Sequence, residues 1–320
     1  MIVVTGAAGF IGSCIVAKLN ELRRNDLILV DHMEDDKRPN LANKKFQDYY
    51  EKQEFLELIK RDSLKKGIEG IIHMGACSST TCQDAEYFRS NNLEYTKILA
   101  RWALDHKARF IYASSAATYG DGSLGYKDDD ETIKRCQPLN LYGQSKQDFD
   151  LWALREGVLD RIVGLKFFNV FGPNEYHKGD MRSVVAKSFQ KVAGEGEMNL
   201  FRSYNPGCGD GEQRRDFIYV KDAVDVAMFF LKHPKVNGIF NVGTGQSRSW
   251  NDLAHALFAA VGKDVSINYI DMPEQLRNRY QYFTEADMSK LKKSGYRKAF
   301  TGLEVAVKDY ASYLKDNAYI

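Results

Sequence analysis

No apolar run in these 320 residues approaches the length of a membrane span. No basic-then-apolar leader is present either: the chain enters "MIVVTGAAGFIG" at once, with glycines from residue 6. Such a start reads as an intact cytoplasmic N-terminus. Cysteine is sparse, and Cys14, Cys77, Cys82, Cys136 and Cys208 are odd in number, scattered and never in a Cys-x-x-Cys spacing. Cys77 and Cys82 have no histidine or cysteine neighbours at zinc-ligand intervals, so reduced thiols are expected and a metal site is not. An excess of one charge is missing too. Lysine and arginine number 45 against 43 acids, a net charge of +2, which argues against a nucleic-acid surface or a membrane-binding face. The chain also lacks internal repeats and low-complexity tracts.

What is there is ordinary in bulk and specific in pattern. A hydrophobic fraction of 44% and a charged fraction of 28% suit a soluble globular protein, and the length allows a large core in two lobes. "MIVVTG" is a β-branched run stopped by glycine, and "GFIGSCIVAKLNEL" follows with helical periodicity. "DLILVD", "GIEGIIHMGA", "ARFIYASSA" and "RIVGLKFFNVFGP" read as further buried strands, with helices expected at 51–66 and 92–106. Strands alternating with helices predict an α/β fold, a doubly wound parallel sheet. After Pro173 come a polar loop, a helix at 181–195 and the Gly/Pro-dense "SYNPGCGDGEQ". "DFIYVKDAVDVAMFFLK" and "GIFNVGTGQSRSWNDLAHALFAAVG" return to strand-then-helix, and 264–320 alternates short strands with amphipathic helices. The expected division is 1–172 as a dinucleotide-binding domain to which 214–245 returns, with 173–213 and 246–320 forming a smaller, interleaved substrate lobe.

"TGAAGFIG" spaces Gly6, Gly9 and Gly12 by three between a strand and a helix. That context needs a tight turn, backbone able to touch a pyrophosphate and close helix–strand packing. Asp31 ends the second strand 19 residues after Gly12, where a carboxylate accepts hydrogen bonds from ribose hydroxyls and favours NAD. Lys37, Arg38, Lys44, Lys45 and Lys52 follow, and any of them can pair with the 2′-phosphate of NADP. At this level the choice between the two cofactors stays open.

"LYGQSK" sets Tyr142 and Lys146 one helical turn apart, with Cβ atoms roughly 6 Å from each other. A phenol titrates near pH ~10, and bringing it to neutrality takes ~4 kcal/mol, more than one ammonium in water supplies. A desolvated cleft and a second cation, such as an oxidised nicotinamide ring, make up the difference. "YASSAATYG" ends the fourth strand, where the crevice of such a sheet opens, so Ser114 or Ser115 can bond both a substrate hydroxyl and the phenol.

With "TGAAGFIG", "SSAATYG", "YGQSK", "FNVFGP", "RRDFIYVKDAVDVA" and "FNVGTG" spread over nearly its whole length, the chain resembles the extended short-chain dehydrogenase/reductases of the nucleotide-sugar epimerase and dehydratase type. "HMGACSSTT", "PLNLYGQSK", "FNVFGPNEYHKGDM" and "RYQYFTEADM" are similar to the branch that inverts C6 of ADP-glycero-manno-heptose. The resemblance implies a Rossmann fold and NADP as cofactor, with NAD the alternative and Lys37 as partner of the 2′-phosphate. It also implies an ADP-heptose substrate, a homo-oligomer such as a pentamer, and a role in lipopolysaccharide core biosynthesis.

Carried over position by position, the family's serine and tyrosine–lysine pair fall on Ser115, Tyr142 and Lys146, and a second acid–base group on Lys178. The cofactor shell falls on Gly6, Gly9, Phe10, Ile11, Gly12, Asp31, His32, Lys37, Lys52, the strand end Met74, Gly75, Ala76, Cys77 and Ser78, then Asn91 and Val170, with Lys146 and Lys178 also reaching it. Substrate contacts fall on Ser115, Asn169, Asp180, Lys187, Phe201, Arg202, Ser203, Tyr204, Arg215 and Tyr280. A structural salt bridge is the other expectation for Arg215. The chain departs from the pattern at Met74, where an acid is usual, at Lys187, where a histidine is expected, and in a longer loop at 204–213. The implied chemistry is transient oxidation at C6, rotation about C5–C6 and re-reduction, with Tyr142 and Lys178 as acid–base groups. Another nucleotide-sugar 4-epimerase or a 4,6-dehydratase is the nearest alternative, although "SSAATYG" lacks the acid a dehydratase needs. A non-catalytic dinucleotide sensor would not need the intact Tyr142/Lys146 pair.

Overall fold

The computed structural model describes residues 1–64, 67–277 and 280–320. Its strands, in chain order, are β1 Ile2–Thr5, β2 Leu27–Asp31, β3 Asp48–Glu51, β4 Gly70–His73, β5 Arg109–Ser115 and β6 Ile162–Phe167. They continue with β7 Asn169–Phe171, β8 Met198–Phe201, β9 Arg214–Tyr219, β10 Gly238–Val242, β11 Ser247–Ser249 and β12 Ile267–Ile270. Seven of these form one parallel sheet in the order β10-β6-β5-β4-β1-β2-β3. This is the doubly wound Rossmann arrangement. From β1 the chain adds β2 and β3 on one side and then returns to lay β4 on the other. The crevice at that reversal, beyond the carboxyl ends of the strands, is where such sheets bind ligands.

The runs of Val, Ile and Leu make strands buried on both faces. Side chains alternate across them: Ile2, Val4, Leu27, Leu29, Ile72 and Ile111 join the core on one face, and Val3, Ile28, Val30, Ile71 and Phe110 join the core on the other. β3 was not expected from the sequence. Its "DYYE" is bracketed by acids and only half buried, as suits a strand at the edge of a sheet. The polar helix expected at 51–66 is Lys52–Lys60, and the last two residues of that expectation lie outside the described residues. The helix expected at 92–106 is Tyr95–Asp105, entered through a π-helical turn at Arg89–Glu94. The run expected as one strand ending at Pro173 divides at Phe168. There the N–H donates to the Val242 carbonyl (3.0 Å), β6 stays in the large sheet, and β7 pairs with β9 in a three-stranded sheet of order β11-β9-β7. β8 and β12 pair in parallel as a separate ribbon. Among the described residues no helix is long and apolar enough to cross a membrane.

Candidate active site

The turn after β1 is built by glycine at two positions for two reasons. Gly6 has φ +65°, and a Cβ there would lie 2.6 Å from the Gly75 nitrogen. Gly12 sits inside the helix Phe10–Glu21, where a Cβ would lie 2.0 Å from the Gly6 carbonyl oxygen. Helix and turn therefore touch backbone to backbone. Gly9 caps that helix without a side-chain acceptor, so the helix N-terminus presents its amides and its dipole to an anion. The Asp31 carboxylate accepts the N–H groups of Ala8 and His32 (2.8 Å each), tying the end of β2 to the loop.

Two adjoining cavities open from this turn. One, of about 450 Å³, is lined by Gly6, Gly9, Phe10, Ile11, Gly12, Asp31, Lys37, Met74, Gly75, Ala76, Ser78, Ser115, Tyr142, Lys146, Val170 and Lys178, among others. The second, of about 510 Å³, shares Gly6, Asp31, Lys37, Gly75 and Ala76 and adds His32, Lys52, Cys77, Asn91 and Tyr95. Every residue assigned to a cofactor from the sequence thus lines one or the other. A side-chain-free cradle, an unblocked helix N-terminus and a carboxylate at the second strand end fit a dinucleotide. The Lys37 ammonium lies 2.7 Å from Glu34 and 3.8 Å from Asp31. Burial alone would depress it, but Glu34 and Asp31 outweigh that and hold it above the ordinary lysine range.

At the other end of the first cavity, the helix Leu141–Arg155 is started by Asn140, whose side-chain oxygen accepts the Gly143 N–H at 2.8 Å. Gly143 lets this helix approach the turn Ala116–Tyr119, since a Cβ would meet the Ala117 oxygen at 2.8 Å. Of the two serines left open by the sequence, Ser114 is engaged in the interior, donating to Asp150 at 2.7 Å. Ser115 faces Tyr142: burial raises the phenol, and the Ser115 hydrogen bond opposes the rise. Lys146 does not bond the phenol directly. Its ammonium donates to the Ala113 carbonyl (2.7 Å), and burial pushes it down to about 8 against the opposing charge of Asp150. Lys178 enters from the turn Tyr176–Met181, its ammonium 5.4 Å from the centre of the Phe10 ring. Burial lowers it too, with Glu175 opposing. Glu175 fixes that turn by accepting both the N–H and the hydroxyl of Ser183 (2.6 Å each).

Ser115 apart, the substrate candidates line neither cavity. Arg215 and Tyr280 are together: the guanidinium carbon is 5.0 Å from the Tyr280 ring centre and 5.8 Å from that of Trp250, whose indole N–H donates to the Tyr280 hydroxyl (2.8 Å). Arg215 is only 7% exposed, yet no carboxylate pairs with it among the described residues, and burial lowers it. The structural salt bridge expected as its other reading is not formed among the described residues. Asn169 is exposed at the start of β7. The exposed Lys187 donates to the Asp180 backbone oxygen (3.3 Å). Phe201 to Tyr204 leave β8 beside Asp271, which takes Arg202 at 3.6 Å and the Tyr204 hydroxyl at 3.1 Å. The 204–213 loop is pinned by Asp210, which accepts the Ser203 N–H (2.7 Å), and by Asn251, which donates to the Asp210 carbonyl (3.0 Å). Arg279, which opens the "RYQYFTEADM" string, lies outside the described residues.

Sequence reasoning missed Trp250, Tyr95 and the buried pair Asp150–Lys166. Only the i,i+4 spacing of Lys146 and Asp150 offered a signal for the last.

Comparison with known proteins follows the same lines. The model of the NAD dependent epimerase/dehydratase family matches residues 2–243. The ADP-L-glycero-D-manno-heptose-6-epimerase of Nitratidesulfovibrio vulgaris (strain DP4) is 54% identical over 311 residues, 97% of this chain and 96% of that one. The protein of the same name from Fusobacterium nucleatum subsp. nucleatum is 45% identical over 332 residues, covering both chains in full. The crystal structure of the Helicobacter pylori ADP-L-glycero-D-manno-heptose-6-epimerase superposes with a TM-score of 0.81 at 27% identity, over 98% of this chain and 96% of that one.

Proposed function

Because the chain belongs to the NAD dependent epimerase/dehydratase family, we propose that it interconverts ADP-D-glycero-β-D-manno-heptose and its L-glycero epimer at C6. The observation that carries this reading is one cavity holding two separate acid–base groups, Tyr142 beside Ser115 and Lys178 from a different element, next to the glycine cradle. The hydrogen on an exocyclic C6 is not acidic, so inversion calls for a change of oxidation state. When bound, a nicotinamide dinucleotide supplies the hydride acceptor and returns the hydride.

The chain's own residues move the protons and hold the sugar. Ser115 bonds the C6 hydroxyl and the phenol, and Tyr142 takes the hydroxyl proton with Lys146 close by as a charge. Once the C6 oxygen has swung about C5–C6 it lies toward Lys178. That ammonium, lowered by burial, exchanges a proton there at small cost. Arg215, a desolvated cation without an acid partner among the described residues, suits the diphosphate, and Tyr280 with Trp250 walls it. Asp180, Lys187 and the 201–204 stretch belong to the proposed substrate lobe of 173–213 and 246–320, and Asn169 adjoins it from the end of the 1–172 domain. For the cofactor we favour NADP, supported by the Lys37 ammonium beside Asp31. We place the enzyme in the cytoplasm, where nucleoside-diphosphate sugars and nicotinamide dinucleotides are found, and read it as a homo-oligomer, with a pentamer the form to look for by light scattering.

The test is turnover of purified protein on either epimer in D₂O, with mass analysis of the product. Interconversion with the original C6 hydrogen retained is the expected result. Stoichiometric deuterium at carbon overturns the oxidation–rotation–reduction route, and failure to interconvert the epimers overturns the substrate.

A further inference from the structure

Beneath the catalytic helix lies an ion pair with no exposure at all: the Lys166 ammonium donates to Asp150 at 2.6 Å, and both side chains are 0% exposed. Burying two charges costs several kcal/mol, and apolar residues of similar volume commonly serve a core as well or better. What distinguishes this pair is where its other bonds go. Asp150 accepts the Tyr112 hydroxyl at 2.8 Å and the Ser114 hydroxyl at 2.7 Å. These residues flank Ala113 on β5, whose carbonyl receives the Lys146 ammonium at 2.7 Å. Asp150 also stands one helical turn after Lys146 on the same face. On the far side, Lys166 donates to the Thr118 hydroxyl (2.7 Å), which in turn donates to the Ser115 carbonyl (2.8 Å).

We propose that the Asp150–Lys166 pair is a positioning device for the reaction, in which Asp150 fixes the acceptor of Lys146 and supplies its counter-charge, while Lys166 carries the same frame to Ser115. The inference rests on the functional reading above only for the role of Lys146 in turnover. The groups coupled to Lys146 are Asp150 on its own helix and His73 on β4. Tyr142 shares that helix, Tyr112 on β5 and Lys166 on β6 share Asp150, and Lys52 and Cys77 act on the same His73 and Tyr142. The fully buried His73 is held neutral, well below its ordinary value, by burial first and by the Lys146 charge second. Asp150 is therefore the anion among them. Removing its charge lowers the affinity of Lys146 for its proton. Removing Lys166 instead leaves Lys146 as the nearest cation to Asp150 and raises that affinity.

Asp150→Asn alone strands a buried ammonium and Lys166→Met alone a buried carboxylate, and either can fail to fold. The doubly neutral Asp150→Asn/Lys166→Met therefore decides the proposal, and Lys166→Met is read beside it where it folds. Two readouts are taken on purified protein across pH 6–10. One is competitive acetylation of Lys146 with acetic anhydride, read by peptide mass mapping. The other is the alkaline limb of kcat for epimer interconversion. In the double variant both midpoints are expected to fall, by less than the roughly one pH unit that loss of an opposite charge alone brings, because the like charge of Lys166 goes with it, with kcat at pH 8 down by up to about fivefold and KM little changed. In Lys166→Met both midpoints rise. If labelling midpoints stay at the wild-type value, or move the same way in both variants, the pair is structural and the proposal falls. If labelling shifts as expected while kcat does not follow, the role given to Lys146 in turnover falls instead. A wild-type protein that does not interconvert the epimers refutes the functional reading, and labelling still decides the proposal.

Discussion

Replacing Arg215 with methionine separates a binding arginine from a structural one. The side chain is 7% exposed and pairs with no acid among the described residues. It therefore meets a desolvation cost of several kcal/mol without the Coulombic return of an ion pair. Two ring contacts at 5.0 and 5.8 Å return about 1 kcal/mol each. Its donation to the Arg214 carbonyl at 2.9 Å returns about 1.5–3 kcal/mol. These sums nearly cancel, so Arg215→Met, which keeps the apolar stem between the rings and drops the charge, is expected to leave the melting point unchanged or raise it by about 2–4 °C. Binding behaves oppositely. A guanidinium that meets a diphosphate loses charge-assisted bonds of about 3 kcal/mol in total, a rise in substrate Kd or KM of roughly 100-fold, with kcat little affected because the diphosphate is remote from C6. Differential scanning fluorimetry and initial-rate kinetics on the same preparation read both numbers. A variant that melts several degrees lower while keeping KM within about threefold refutes the reasoning and makes Arg215 a structural residue.

Tyr142→Phe is expected to keep the fold and cofactor binding while kcat falls ~10²-fold or more; near-normal turnover would remove the phenol from the proton path. Lys37→Ala should weaken NADP by ~1.5–3 kcal/mol, about 10- to 150-fold, and NAD far less, whereas Glu34→Gln, which frees the Lys37 ammonium, should tighten NADP; equal changes for both cofactors in a fluorescence titration would count against a 2′-phosphate at Lys37. Lys146, pushed from 10.5 down to about 8, makes stability and turnover diverge. Between these two values the unfolded chain binds the extra proton, so this lysine's contribution makes the fold more stable as pH rises. Turnover falls over the same window as the ammonium is lost. Urea midpoints of wild type minus Lys146→Met between pH 7 and 10 test the sign, and a difference that declines with pH contradicts it.

Much of this was legible because local chemistry and global placement agree. The turn at Gly6 and Gly12 follows from spacing, and the strand β2 ending on Asp31 follows from a buried run meeting an acid. The alternation of strand and helix fixed the sheet class. What stayed unreadable depends on partners distant in sequence. Ser114 and Ser115 are adjacent, so a strand sends them to opposite faces, and only the position of Asp150 on another element tells which one faces inward. β3 escaped notice because an edge strand need not be apolar. Arg215 reads as a basic residue in a basic stretch, and its having no ion-pair partner among the described residues is a fact of the fold alone. Asp150 and Lys166 sit 16 residues apart on a helix and a strand, and no periodicity links them.

The break at Phe168 reaches beyond geometry. Mid-run, the chain passes from the large sheet to the three-stranded one, re-enters the large sheet at β10 and leaves again at β11. No single cut separates the part that carries the glycine cradle from the part that carries Arg215. A recombination event with one crossover would sever paired strands on both sides, leaving unpaired backbone edges prone to misassociation. Divergence toward new sugars on this architecture is therefore channelled into point substitutions and loop-length changes, and engineering that treats the two sheets as exchangeable modules must splice at every passage between them.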